Sequence, residues 1–265
     1  VDGSSATALM ANYFEDINVD YEYYIPDRIK EGYGPNLKAL RFLKDKGCDL
    51  IITVDCGTTA TECIEKINEE GVEIIIIDHH LEVSSLPNAY AVINPKKKSD
   101  KSGLENLCAT GVVFLFIVSI NRELKKLDDH NSNLPNLIKF LDLVALATVC
   151  DLVKLDNVNR ALVKQGIKVF NKTTNYGLSS LVEVSSINQE IHEYHLGFIL
   201  GPRINAGGRV GESKLGVNLL TSKNINLTKV LSKKLCDYNN LRRTIEKKVK
   251  EKLLIKFWIM KISFV

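Results

Sequence analysis

The stretch "CDLIITVDCGTTATECIEKINEEGVEIIIIDHH", residues 48–80, decides the fold. Two apolar runs in it, LIITV (50–54) and IIII (74–77), are short and rich in β-branched side chains, so both read as buried strands. Between them "TATECIEKINEEG" has helical spacing and stops at Gly71. Strand, helix, strand within about thirty residues is a βαβ unit. Continuous apolar strands imply a parallel sheet covered on both faces. In such sheets ligands collect beyond the carboxyl ends of the strands. Asp55 ends the first strand and Asp78 the second, 23 residues on, so one crossover helix puts both carboxylates on the same edge. His79 and His80 come directly after.

Working outward, "SSATALMANYFEDI" (4–17) has a serine cap followed by helical apolar spacing, and "GPNLKALRFLKDKG" (34–47) reads as a helix closed by glycine. "YEYYI" (21–25) alternates and is expected as a strand, as is "NAYAVINP" (88–95). Residues 108–170 are mainly helical in pattern, including "LPNLIKFLDLVALATVCDLV" (134–153). After "GPRINAGGRVG" (201–211), one long helix is expected over about 213–256, leaving the body as a linker would. The reading is an α/β domain with a parallel sheet over residues 1–200, its N-terminal strand incomplete, followed over 201–265 by a phosphate-contacting loop and a long connector helix.

The chain has 265 residues, enough for a sizeable core, and its 45% hydrophobic and 25% charged composition is that of a globular protein. Its longest apolar runs are too short or too broken by lysine to span a bilayer, and no signal peptide opens it. Six cysteines without Cys-x-x-Cys spacing indicate neither a zinc knuckle nor a disulfide framework, so a reduced, cytoplasmic protein is expected. Net charge is +3 but uneven: residues 229–256 hold ten Lys/Arg against three Asp/Glu. That segment is either a nucleic-acid contact or a solvated helix face.

Asp2, in "VDG" just before the helix start at Ser4, is expected to end a third strand, and Asp151 sits where the apolar helix "LATVCDLV" emerges. Four carboxylates beside two imidazoles would repel unless a cation or a shared proton intervened. Oxygen-rich ligation with one or two imidazoles suits Mn²⁺ or Mg²⁺, and this many ligands suits two ions. In "GPRINAGGRVG" the glycines let backbone approach a ligand, Arg203 and Arg209 can fork onto phosphate oxygens, and Asn205 can bond a phosphate or a water. Arg28 and Tyr33 in "PDRIKEGYG" have a weaker claim of the same kind. A Gly-rich turn is the plain alternative for residues 201–211. Neither a phosphate-binding loop of the Gly-x-x-x-x-Gly-Lys type nor a dinucleotide Gly-x-Gly-x-x-Gly occurs.

Taken in order, "VDG" (1–3), "ITVDCG" (52–57), "IDHH" (77–80) and "ATVCDLV" (147–153) resemble successive motifs of the DHH phosphoesterase superfamily. "PDRIKEGYG", "INP", "LCATGV" and "LGPRINAGGRVG" are similar to segments of its RecJ-type branch, single-strand-specific DNA exonucleases. The resemblance implies 5′→3′ removal of nucleotides from single-stranded DNA with Mn²⁺ or Mg²⁺, in repair and recombination. By position it makes Asp2, Asp55, Asp78, His79 and Asp151 metal residues and gives Asp78, His79 and His80 the catalytic role. It gives phosphate contact to Arg203, Asn205 and Arg209, with Arg28 beside them. It also implies further aspartates ahead of Asp2 and a second domain after the long helix, which these residues do not include. Other readings are a DHH phosphoesterase acting on short oligonucleotides or cyclic dinucleotides, a non-catalytic DNA- or protein-binding remnant, or one part of an enzyme whose remainder is separately encoded.

Overall fold

A computed structural model of the chain describes residues 1–82, 85–127 and 134–262, with side chains to residue 254. The quoted stretch forms β1 (Leu50–Val54), α3 (Thr61–Glu69) and β2 (Glu73–Ile77), and β3 (Ala91–Ile93) completes a parallel sheet of order β1-β2-β3. The isoleucine run is continuous because both faces of β2 are covered. Ile74 and Ile76 pack with Ile51 against Leu40 and Leu43 of α2 (Leu37–Asp45) and Ile64 and Ile67 of α3. Ile75 and Ile77 turn to the larger helical core with Ile52 and Val54. Burying Ile74, Ile76 and Ile77 completely is worth about 2 kcal/mol each. The sheet edge that carries the site is thereby held from two sides.

The larger core is built around α1 (Asp2–Asp16), which packs on α4 (Ala109–Leu127), α5 (Leu141–Cys150) and α9 (Leu215–Thr221). α6 (Asn157–Phe170) packs on α5, and α7 (Tyr176–Val184) lies against α9 and α10 (Ile225–Ile262). α8 (Gly201–Val210) comes after π-helical turns over His195–Leu200. The core does not stop at residue 200: Ile204, Leu215, Leu219, Leu231 and Leu235 belong to the same cluster as Leu9 and Leu143. Asn239 is the last buried side chain of α10 among the described residues, and from residue 243 to 254 the helix is exposed all round, as a linker would be.

Four expectations are corrected. Val1 and Asp2 form no strand; Asp2 is the first residue of α1. Residues 21–25 are not a strand and, among the described residues, make no backbone hydrogen bond to β1. "GPRINAGGRV" is a helix, not a loop, with its glycines serving contact: a Cβ on Gly201 would stand 2.3 Å from Cys150 Sγ. Gly211, at φ 99°, closes that helix in the left-handed conformation. The single helix expected over 213–256 is two, broken at Ser222 (ψ 131°), after which Asn224 Oδ1 caps α10 by accepting from the backbone of Asn226 and Leu227. The apolar end from residue 255 lies outside the described side chains. Among the described residues, no helix is long and apolar enough to cross a membrane.

Candidate metal centre

Val54 pairs with Ile77 and Ile77 with Ile93, so Asp55, Asp78 and Asn94 stand in one row at the carboxyl edge of the sheet. Asp55 leaves β1 at φ 59°, a left-handed turn that aspartate tolerates better than most residues. The turn brings its carboxylate against Gly3 of α1, where a Cβ would be 2.9 Å from Asp55 Oδ2. Asp2 is fixed from another side. The first backbone N–H groups of α4, from Ala109 and Thr110, donate to it at 2.6 and 2.8 Å, and the Thr110 hydroxyl donates at 2.6 Å. These are the donors a helix start leaves unpaired. Asp151 caps the carboxyl end of α5.

These three carboxylates converge on one atom. His79 Nε2 lies 3.3 Å from Asp55 Oδ1, 3.7 Å from Asp2 Oδ2 and 3.7 Å from Asp151 Oδ2. Ligand atoms of Asp2, His79 and Asp151 fall within 4.8 Å of one another, as do those of Asp55, His79 and His80, so two clusters share His79. One imidazole cannot neutralise three carboxylates. Burial, then the charge of Asp55, pushes the Asp2 carboxyl up against its Thr110 bonds; burial, then Asp2, does the same to Asp151. Burial works to lower the His79 pKa, but Asp55, Asp2 and Asp151 together raise it. An excess of buried oxygen charge with a single nitrogen is a donor set that a hard divalent cation fits.

Asp78 takes a different place from the one expected of a ligand, because it belongs to neither cluster and its oxygens are occupied. Oδ2 accepts from the Thr58 backbone N–H at 3.0 Å; Oδ1 accepts from His79 N–H at 2.8 Å and lies 2.6 Å from His80 Nδ1. Burial alone would raise its carboxyl, but the bonds from His80, Thr58 and His79 outweigh it and hold it well below the usual carboxylate range. Asp78 is therefore an acceptor only, and His80 Nδ1 carries a proton.

The other nitrogen of His80 faces Tyr33, whose hydroxyl donates to the Asp55 backbone carbonyl at 2.7 Å and lies 3.2 Å from His80 Nε2. The bond to Asp78 raises the His80 pKa against the opposing effect of burial. Asn94 completes the support, its amide donating to the Thr58 hydroxyl and to the His80 carbonyl, both at 2.9 Å.

The cluster opens onto a cavity of about 1190 Å³ whose lining includes Asp2, Asp55, Asp151, His80, Asn205 and Arg209. Asn205 Oδ1 accepts from the Val1 nitrogen at 2.8 Å. Arg28 also lines it, its guanidinium 5.3 Å from the Tyr33 ring centre. Arg203 is not part of that lining; it folds back to donate to the Ile199 carbonyl at 2.7 Å. Sequence reasoning missed Thr58, Asn94 and Thr110, and gave Tyr33 a weak claim to ligand contact where it bonds the Asp55 carbonyl and faces His80.

The DHH family, N-terminal domain, matches residues 1–148. The single-stranded-DNA-specific exonuclease RecJ of Salmonella typhimurium is 35% identical over 260 residues, which cover 96% of this chain and 45% of that protein. The protein of the same description from Escherichia coli is 35% identical over 92% of this chain and 44% of its own length. The chain thus spans less than half the length of these curated relatives. Among solved structures, exonuclease RecJ bound to manganese superposes with a TM-score of 0.85 at 30% identity, covering 96% of this chain and 63% of that one. RecJ of Thermus thermophilus in complex with Mn²⁺ gives 0.82 at 28% identity, covering 96% and 35%. The motifs, the fold and the family match agree: this chain belongs to the DHH family.

Proposed function

We propose that the chain is the DHH portion of a metal-dependent exonuclease that removes nucleotides from single-stranded DNA in the 5′→3′ direction, in DNA repair and recombination. The observation that carries the reading is the convergence of Asp2, Asp55 and Asp151 on His79 Nε2, next to His80, at the carboxyl edge of the sheet. Asp2, Asp55, His79 and Asp151 would hold Mn²⁺ or Mg²⁺, with His80 at the margin of the second cluster. When bound, one or two such ions supply Lewis-acid activation of water and offset the charge of the phosphodiester.

The protein's own groups do the rest. His80, held through Nδ1 by Asp78 and through Nε2 by Tyr33, stands at the margin of the cluster, and exchanging Tyr33 for substrate would let it act as a general acid toward the leaving oxygen. Asp78 is a positioning residue that fixes the ring and its charge. Arg209, Asn205 and Arg28 line the cavity through which a phosphate backbone would run, and Arg203 stands about one and two-thirds helical turns before Arg209 on α8. The similar proteins described as single-stranded-DNA-specific exonucleases support the substrate class.

The test is hydrolysis of a 3′-labelled, 5′-phosphorylated single strand with Mn²⁺, beside a duplex and the Asp55→Asn variant, with Mn²⁺ binding monitored by electron paramagnetic resonance. Shortening from the 5′ end that is confined to the single strand, with both cleavage and Mn²⁺ binding lost in Asp55→Asn, is expected. Preference for dinucleotides over long strands would instead mark a small-substrate phosphoesterase. DNA binding indifferent to Mn²⁺, without cleavage, would mark a binding remnant.

A further inference from the structure

Tyr33 reaches the metal centre from outside the packed core. Its hydroxyl donates to the Asp55 carbonyl at 2.7 Å and lies 3.2 Å from His80 Nε2, and its ring meets the His80 ring edge to face at 5.8 Å. Among the described residues it belongs to neither hydrophobic cluster, and it is 60% exposed. Withdrawing it therefore breaks hydrogen bonds and uncovers little apolar surface.

The backbone around it forms a tip on a pinned base. The Glu31 carboxylate accepts from the Tyr24 hydroxyl at 3.0 Å and from Asn36 Nδ2 at 3.2 Å, while Asn36 Oδ1 caps α2 by accepting from the Ala39 N–H at 2.9 Å. Asp27 closes the turn ahead of Glu31, its carboxylate accepting from the Ile29 and Lys30 N–H groups. Between Glu31 and Asn36 stand Gly32, Tyr33, Gly34 and Pro35. Gly32 and Gly34 have φ of 82° and 88°, and a Cβ on either would meet nothing within 4 Å. Crowding does not account for these glycines; the left-handed backbone does. Two such residues bracketing one tyrosine let that side chain swing while the base of the loop stays fixed.

The tip rests where it obstructs. Tyr33 and His80 line both the cavity that holds the carboxylates and a neighbouring cavity of about 750 Å³. Tyr33 covers Nε2, the ring nitrogen that Asp78 leaves free, so a substrate that reaches His80 has to move it. Resting on the exonuclease reading above, we propose that Tyr33 is a reversible stopper, held against His80 in the free protein and displaced by the incoming strand as the loop turns about Gly32 and Gly34. The apparent affinity for substrate is then the intrinsic affinity reduced by the fraction of protein whose stopper is withdrawn.

Carbethoxylation of His80 by diethyl pyrocarbonate, read by peptide mass spectrometry, reports access to Nε2 without DNA, and the exposed His192 serves as the internal reference. Tyr33→Phe removes the hydroxyl and should speed modification of His80 about tenfold relative to His192. Gly32→Ala keeps the hydroxyl but strains the closed loop, and should speed it several-fold. Mn²⁺ affinity should stay the same in both variants, and KM for a 5′-phosphorylated single strand should fall. Equal modification of His80 in the wild type and Tyr33→Phe overturns the inference whether or not the chain cleaves DNA, so its failure is distinct from that of the exonuclease reading. Acceleration confined to Tyr33→Phe overturns the swinging loop. Faster modification accompanied by loss of Mn²⁺ binding would make Tyr33 a brace for Asp55, and a raised KM would make it a substrate contact; either result also overturns the stopper.

Discussion

Asp142→Asn should change the stability of this protein in a pH-dependent way that can be worked out beforehand. Asp142 lies in the first turn of α5, buried at 4% exposure. Its carboxylate accepts from the Leu143 N–H and from the Thr173 hydroxyl, each at 2.6 Å. Burial outweighs both bonds and pushes the carboxyl up from 3.8 to about 6. The folded chain therefore binds this proton more tightly than the unfolded chain does. Its stabilising contribution is fully present below pH 3.8 and is lost as pH rises through about 6. Roughly two pKa units correspond to about 3 kcal/mol. Asparagine keeps an acceptor and cannot ionise, so it stands in for the protonated acid at every pH. Denaturant unfolding of both proteins at pH 4 to 8 and fixed ionic strength should give nearly equal stability at the acid end. At pH 7.5 the variant should be more stable by up to about 3 kcal/mol. The raised carboxyls of Asp2 and Asp151 are common to both proteins and cancel in the difference. A difference that stays constant across the range would refute the reasoning, since hydrogen bonding and not burial would then govern the residue.

Two further outcomes rest on contacts around the same helices. Thr110→Val removes the hydroxyl that donates to Asp2 at 2.6 Å and leaves two backbone donors. Mn²⁺ affinity, read by electron paramagnetic resonance, should fall about tenfold, the lower end of what partners of metal ligands are worth; unchanged affinity would show that the backbone donors suffice. Gly201→Ala puts a Cβ 2.3 Å from Cys150 Sγ and 3.0 Å from the Leu196 carbonyl, and should cost about 1–3 kcal/mol in denaturant unfolding. Cys150→Ala, which removes the nearer atom, should restore part of that loss; the same loss in both backgrounds would put the clash elsewhere.

The sheet edge was legible because the isoleucine run has one reading. A strand buried on both faces must be central, and the residues after its last isoleucine must lie on the ligand edge, which located Asp55, Asp78, His79 and His80. The division of labour among them was not legible. That Asp78 turns inward depends on the Thr58 N–H, 20 residues away, being opposite its Oδ2, and residue type carries no sign of it. Asn94 was visible only as the end of a strand, though the register that aligns Ile93 with Ile77 puts it in the row. Thr110 reaches Asp2 across 108 residues, and nothing local marks it beyond standing at a helix start. "YEYYI" alternates as a strand does, yet a strand also needs a backbone partner, and alternation cannot report whether one is present. The glycines of residues 201–211 were read as room for backbone to approach a ligand, or as a turn. At Gly201 the missing side chain serves instead to let α8 approach α5, a use of glycine that composition cannot distinguish from a loop.

The left-handed backbone of Asp55 subjects that position to two independent filters. At φ 59° it admits glycine, asparagine and aspartate on steric grounds, while most other side chains would add roughly 1–2 kcal/mol of strain. The charge cluster admits a carboxylate. Glutamate passes the second filter and fails the first; asparagine does the reverse. Alanine fails both, so a loss of activity in Asp55→Ala mixes a distorted turn with a missing ligand. Only the asparagine substitution separates the chemistry of this aspartate from its shape.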